Sequence, residues 1–85
     1  MNPQNKEFIY ALIKNLKENE MDLSKPIILT QRMYLNTIRS FFNYSTEKKV
    51  IWKAKQLVED GLFLSNRTDF ELSATVKELL IPGDD

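Results

Sequence analysis

Apolar positions recur at helical spacing early in the chain: Phe8, Ile9, Leu12, Ile13 and Leu16 share one stripe, which ends at "KENE". Asn2 and Pro3 suit an N-cap and a first helical position, so a helix over about residues 4 to 19 is predicted. "MDLSKP" reads as a turn, and "PIIL" (26 to 29) is too short for a helix but suits a brief strand after a proline. Thr30 caps a second predicted helix that runs to about Phe42 and buries Tyr34, Leu35, Ile38, Phe41 and Phe42 on one stripe. Leu29 and Tyr34 are spaced as a hydrophobic staple. After the break "NYS", Ser45 is the expected cap of a third helix, with Glu47 favourably placed at the positive end of its dipole.

Gly61 stops the third helix, and "LFLS", the turn "NRTD" and "FELS" follow as a hairpin over residues 62 to 73 with a four-residue loop. Ser73 then caps a short last helix, "ATVKELLI", closed by Pro82 and Gly83. The expected fold class is α+β and mostly helical, in one domain spanning residues 1 to 85. Its order is helix, short strand, helix, helix, two-stranded hairpin, short helix.

On the third helix, at about 100° per residue, Val50, Ile51, Ala54, Leu57 and Val58 form the buried stripe. Trp52 falls nearly opposite, beside Lys49 and Gln56 and flanked by Lys48 and Lys53. An indole there has four explanations: contact with thymine methyls or sugar in a DNA groove, cover by the hairpin, a place in a homodimer or partner interface, or a helix that starts elsewhere.

Composition changes the picture mainly by exclusion. Among 85 residues there is no cysteine and no histidine. That removes the usual ligands for zinc, haem and iron–sulfur clusters, together with thiol and imidazole chemistry. No metal and no cofactor is expected, and an enzyme is a distant third choice. No run of 18 apolar residues exists and "MNPQNKEF" is not a signal peptide, so a cytoplasmic protein away from membranes is expected. Net charge is zero, yet residues 30 to 57 hold Arg32, Arg39, Lys48, Lys49, Lys53 and Lys55 against Glu47 alone. Residues 58 to 85 hold seven acids against Arg67 and Lys77. Such asymmetry can build a one-sided basic surface on a neutral protein, although a solvated helix face is the blander reading.

The segment "TIRSFFNYSTEKKVIWKAKQLVEDGLFLSNRTDFELSATVKELL" (37 to 80) resembles the recognition half of small winged helix-turn-helix regulators, including the MarR-like group. "LVEDGLF" is similar to the end of their recognition helix, and "FELSATVKELL" to their last wing strand and the helix after it. The resemblance implies that the third helix enters the major groove of double-stranded DNA and that the hairpin is a wing reaching the minor groove. The implied DNA-binding residues are Lys48, Lys49, Trp52, Lys53 and Gln56 in the major groove, Arg67 in the minor groove, and Arg32 and Arg39 on phosphates. An indole in the outward middle of that helix departs from the small or hydrogen-bonding residues such families place there.

The expected function is therefore a small sequence-specific DNA-binding protein, a transcriptional regulator. The compact chain, beginning at its own methionine without a ligand domain, fits a phage, viral or plasmid type. The first or last helix could pair with a copy of itself, giving a homodimer. The alternative is a winged-helix adaptor that binds no DNA and anchors Trp52 and the same lysines on an acidic protein partner.

Overall fold

The computed structural model describes residues 1 to 80. Four helices and a three-stranded antiparallel sheet follow in the order α1 (Pro3–Glu18), β1 (Ile28–Thr30), α2 (Gln31–Phe42), α3 (Glu47–Glu59), β2 (Phe63–Asn66), β3 (Asp69–Leu72) and α4 (Ala74–Leu80). The expected α+β class and element order are those observed. The expected closure of α4 by Pro82 and Gly83 lies outside the described residues.

Each helix start has a local chemical cause. Asn2 Oδ1 accepts from the Gln4 amide at 2.8 Å, and Pro3 sits at the first helical position, where a missing N–H costs nothing. Thr30 Oγ1 accepts from Met33 N–H at 3.2 Å. At α3 the cap is Thr46 rather than Ser45, its hydroxyl accepting from Lys49 N–H at 3.3 Å. Glu47 thereby becomes the first helical residue, still at the positive end of the dipole.

Helix ends are equally specific. At α3, Leu62 N–H reaches Leu57 C=O and Gly61 N–H reaches Val58 C=O, both at 3.0 Å, with Gly61 at φ +79°. This is a Schellman closure, in which a left-handed residue returns two amides to otherwise orphaned carbonyls. The same pair of bonds ends α1, from Met21 to Leu16 and from Glu20 to Lys17 at 3.0 Å, but there the left-handed position is Glu20, at φ +59°.

The sheet order is β1-β3-β2, so β3 is central. Register pairs Asn66 with Asp69 and leaves only Arg67 and Thr68 in the turn, two residues instead of the expected four. Asn66 therefore belongs to β2. Arg67 takes a left-handed φ of +57°, consistent with the positive φ that the first central residue of a two-residue hairpin turn adopts.

The core gathers Phe8, Ile9, Leu12, Ile13 and Leu16 of α1 with Leu29, Tyr34, Ile38, Val50, Leu57, Phe63 and Leu72. Both staple residues, Leu29 and Tyr34, are buried in it. Tyr34 is its hub: the ring stacks on Phe70 at 4.1 Å between centroids, and its hydroxyl donates to Ala54 C=O at 2.7 Å. Burial raises the Tyr34 pKa well above the usual phenol range. The stripe of α2 is narrower than expected, since Tyr34 and Ile38 are buried while Leu35 and Phe42 are half-buried. Phe41 lies at the surface, with its edge against Phe8.

Candidate nucleic-acid interface

An α-helix one layer above a core shows the surface a wide polar face, and on α3 that face is formed by Lys48, Lys49, Trp52, Lys55 and Glu59, all exposed. The caps and the Schellman closure fix its two ends. Trp52 is 56 % exposed, away from the core, as the helical wheel predicted; the hairpin does not cover it.

Lys53 departs from expectation. It is 4 % exposed rather than outward, with its Nζ 4.8 Å above the Phe42 ring and donating to Gln56 Oε1 at 2.9 Å. Lysine can do this because its four-carbon stem is apolar and an aromatic face attracts the ammonium. Burial lowers the Lys53 pKa, and the Asp60 carboxylate acts in the opposite sense. Gln56 is half-buried at the edge of the face. The sequence signal for this arrangement lay in the wheel, where position 53 stands nearer the buried stripe than Trp52 does.

Arg39 is also committed elsewhere. Its Nη2 donates to both carboxylate oxygens of Glu47, at 2.7 and 2.8 Å, and its Nη1 donates to Asn36 Oδ1, joining the end of α2 to the start of α3. Arg32 is exposed on the first turn of α2, and Arg67 is exposed at the hairpin turn. A shallow cavity bordered by Thr30, Gln31, Arg32, Leu35, Thr68 and Asp69 lies between these elements. Thr68 C=O accepts from Gln31 N–H at 2.9 Å, so the turn is tied to the start of α2. With Met33 N–H bonded to Thr30, two of the first α2 amides are already satisfied, which narrows what that helix end can offer a phosphate.

The structure therefore brings Lys48, Lys49, Trp52 and Gln56 onto one face of α3, with Lys55 beside them. It sets Arg32 and Arg67 on neighbouring elements, and it diverts Arg39 and Lys53.

A feature the sequence did not disclose adjoins this face. Ile51, expected in the buried stripe, is 43 % exposed and lines a groove of about 450 Å³ between α3 and the hairpin, with Leu35, Ala54, Val58 and Phe70. The wheel placed Ile51 at the stripe's margin, and the short hairpin does not reach over it.

Among the described residues no helix is long and apolar enough to cross a membrane, and no group of three His, Cys, Asp or Glu is placed to hold a metal ion. Comparison of the chain with protein-family models, curated proteins and solved structures found no match.

Proposed function

We propose that this protein binds duplex DNA in the winged helix-turn-helix manner and serves as a transcriptional regulator. In this reading α3 enters the major groove and the β2–β3 hairpin approaches the flanking backbone or minor groove. The observation that carries it is the joint exposure of Lys48, Lys49, Trp52 and Lys55 on a helix capped at both ends, with Arg32 and Arg67 on the two adjoining elements. Cations spaced along one helix face suit phosphates that line a groove, and a rigid helix is the element that fits the major groove. Arg39 and Lys53 are left out of the binding set because Glu47, and Gln56 with Phe42, occupy them.

Retardation of a random-sequence duplex at low salt tests the proposal. Affinity should fall with salt at a log–log slope of about −3 to −5 per protomer, as for four or five released counterions. The double substitution of Lys48 and Lys49 by alanine should weaken binding to all sequences while leaving the unfolding transition in place. Salt-independent binding, or a double variant that binds normally, would sink it.

A second reading has its own observation. The Ile51 groove, bordered by Lys55 and Glu59, and the exposed Trp52 beside Lys48 and Lys49 together offer an apolar anchor with more cations than acids around it, which suits an acidic protein partner. Ile51→Glu separates the two: it should abolish partner binding while changing the salt slope on DNA by no more than about one.

A further inference from the structure

Gln56 stands one turn beyond Lys53 on α3, and the contact between them sets the polarity of its carboxamide. An ammonium can only donate, so the Lys53–Gln56 bond of 2.9 Å assigns the near atom as Oε1 and turns Nε2 the other way. The ammonium is held in place, because its stem is buried and Phe42 lies beneath it at 4.8 Å. Among the described residues Nε2 donates to nothing. The side chain thus reaches the face of α3 as a hydrogen-bond donor whose oxygen is already engaged by a cation.

Glutamine reads adenine through both ends of the amide, Oε1 accepting from N6 and Nε2 donating to N7. Here Oε1 has given a lone pair to Lys53, and the ammonium's charge repels the adenine amino group from the same edge. Guanine presents O6 and N7, both acceptors, to the major groove. Its edge would be drawn to Nε2–H and to the positive charge behind it. A cation on the oxygen also polarises the amide and strengthens the N–H as a donor.

We infer that Gln56 is a specificity-determining residue that selects guanine over adenine at the base it faces, with Lys53 as the positioning residue that sets this preference. The inference rests on the DNA-binding reading above.

The test begins without DNA. In the free protein, Lys53→Met keeps an apolar stem of similar length over Phe42 and should preserve cooperative unfolding. It should also move the Gln56 side-chain amide NMR signals well beyond those of Gln4 and Gln31. Unchanged Gln56 signals would overturn the inference at this stage.

Binding selection from a randomised duplex pool follows, with wild type, Lys53→Met and Gln56→Ala. Wild type should favour guanine over adenine by about tenfold at one position, in line with one well-made base contact. Gln56→Ala should flatten that position alone, and Lys53→Met should shift it toward adenine. Selection of adenine by wild type, or a guanine preference that survives both substitutions, overturns the role of Gln56 while leaving DNA binding intact. Failure to bind any duplex at low salt overturns the DNA reading and this inference with it.

Discussion

Asn5 lies in the first turn of α1 with 2 % of its surface exposed, and its Oδ1 has no hydrogen-bond partner among the described residues. An unpaired buried carbonyl costs about 1–3 kcal/mol, and alanine is the better helix former. Asn5→Ala should therefore raise the urea midpoint, by about 1 kcal/mol of stability. A drop instead would mean that a buried water satisfies the oxygen in solution. Arg67 carries strain of another kind, since a left-handed φ is unfavourable for any residue with a Cβ. Arg67→Gly should stabilise the hairpin by up to about 1 kcal/mol and Arg67→Ala should not. On the proposed DNA-binding reading both should also weaken binding to duplex, most on A·T-rich flanks if the guanidinium enters a narrow minor groove. Trp52, being exposed, should show red-shifted and readily quenched fluorescence. Its alanine variant should keep stability within about 1 kcal/mol, far from the roughly 3–5 of a buried aromatic truncation. Protection from quencher by added duplex would place the indole in the groove. Protection by concentrating the protein alone would place it between two copies.

The two Schellman closures make a natural experiment at the scale of the element. Gly61 fills the left-handed position of α3, and a Cβ built there meets nothing within 4 Å, so Gly61→Ala is penalised through the backbone alone, by about 1–2 kcal/mol. Glu20 occupies the equivalent position of α1, and Glu20→Gly should stabilise by up to about 1 kcal/mol. Thermal unfolding of the two variants should give shifts of opposite sign. The pair also shows why some elements were legible in the sequence and others were not. Gly61 announced the end of α3 because glycine is the residue that conformation prefers. Glu20 announced nothing, and the end of α1 was visible only where the apolar period stopped. Asn2–Pro3 and Thr30 capped the helices they were expected to cap, whereas "Ser45-Thr46" offered two hydroxyls in succession and spacing alone did not choose between them. The hairpin was legible as two strands, but its loop length was set by cross-strand register, which has no local signature in "NRTD". At the candidate site, outward Trp52, Lys48 and Lys49 followed from helical period. For Lys53 the same period gave only a position at the margin of the stripe, and the inward turn of its stem is decided by an aromatic ring contributed by another helix.

Over the whole molecule, opposite titration effects meet in one core. The raised pKa values of Tyr34 and Tyr44 mean that the folded state holds phenol protons longer than the unfolded chain. Their contribution is fully present below the ordinary phenol pKa, about 10, and is lost as pH rises beyond it. Lys53, with its pKa lowered, works the other way: the folded state sheds that proton sooner, so stability gains with pH between the depressed value and the ordinary lysine range, about 10.4. Urea unfolding followed from pH 8 to 11 should show the net of the two. Tyr34→Phe should reduce the alkaline loss while costing about 1 kcal/mol at neutral pH through the missing bond to Ala54. An alkaline decline as steep in Tyr34→Phe as in wild type would show that other groups drive it.

The bond from Gln31 N–H to Thr68 C=O has a kinetic meaning. First-turn helix amides ordinarily exchange with solvent by fraying, but this one is held by a hairpin turn 37 positions away in sequence. Its hydrogen exchange should follow the opening of β2–β3 rather than of α2, and Arg67→Gly, by steadying the turn, should slow it. The hairpin and the head of α2 would then open as one cooperative unit, with a single protection factor shared across two distant parts of the chain.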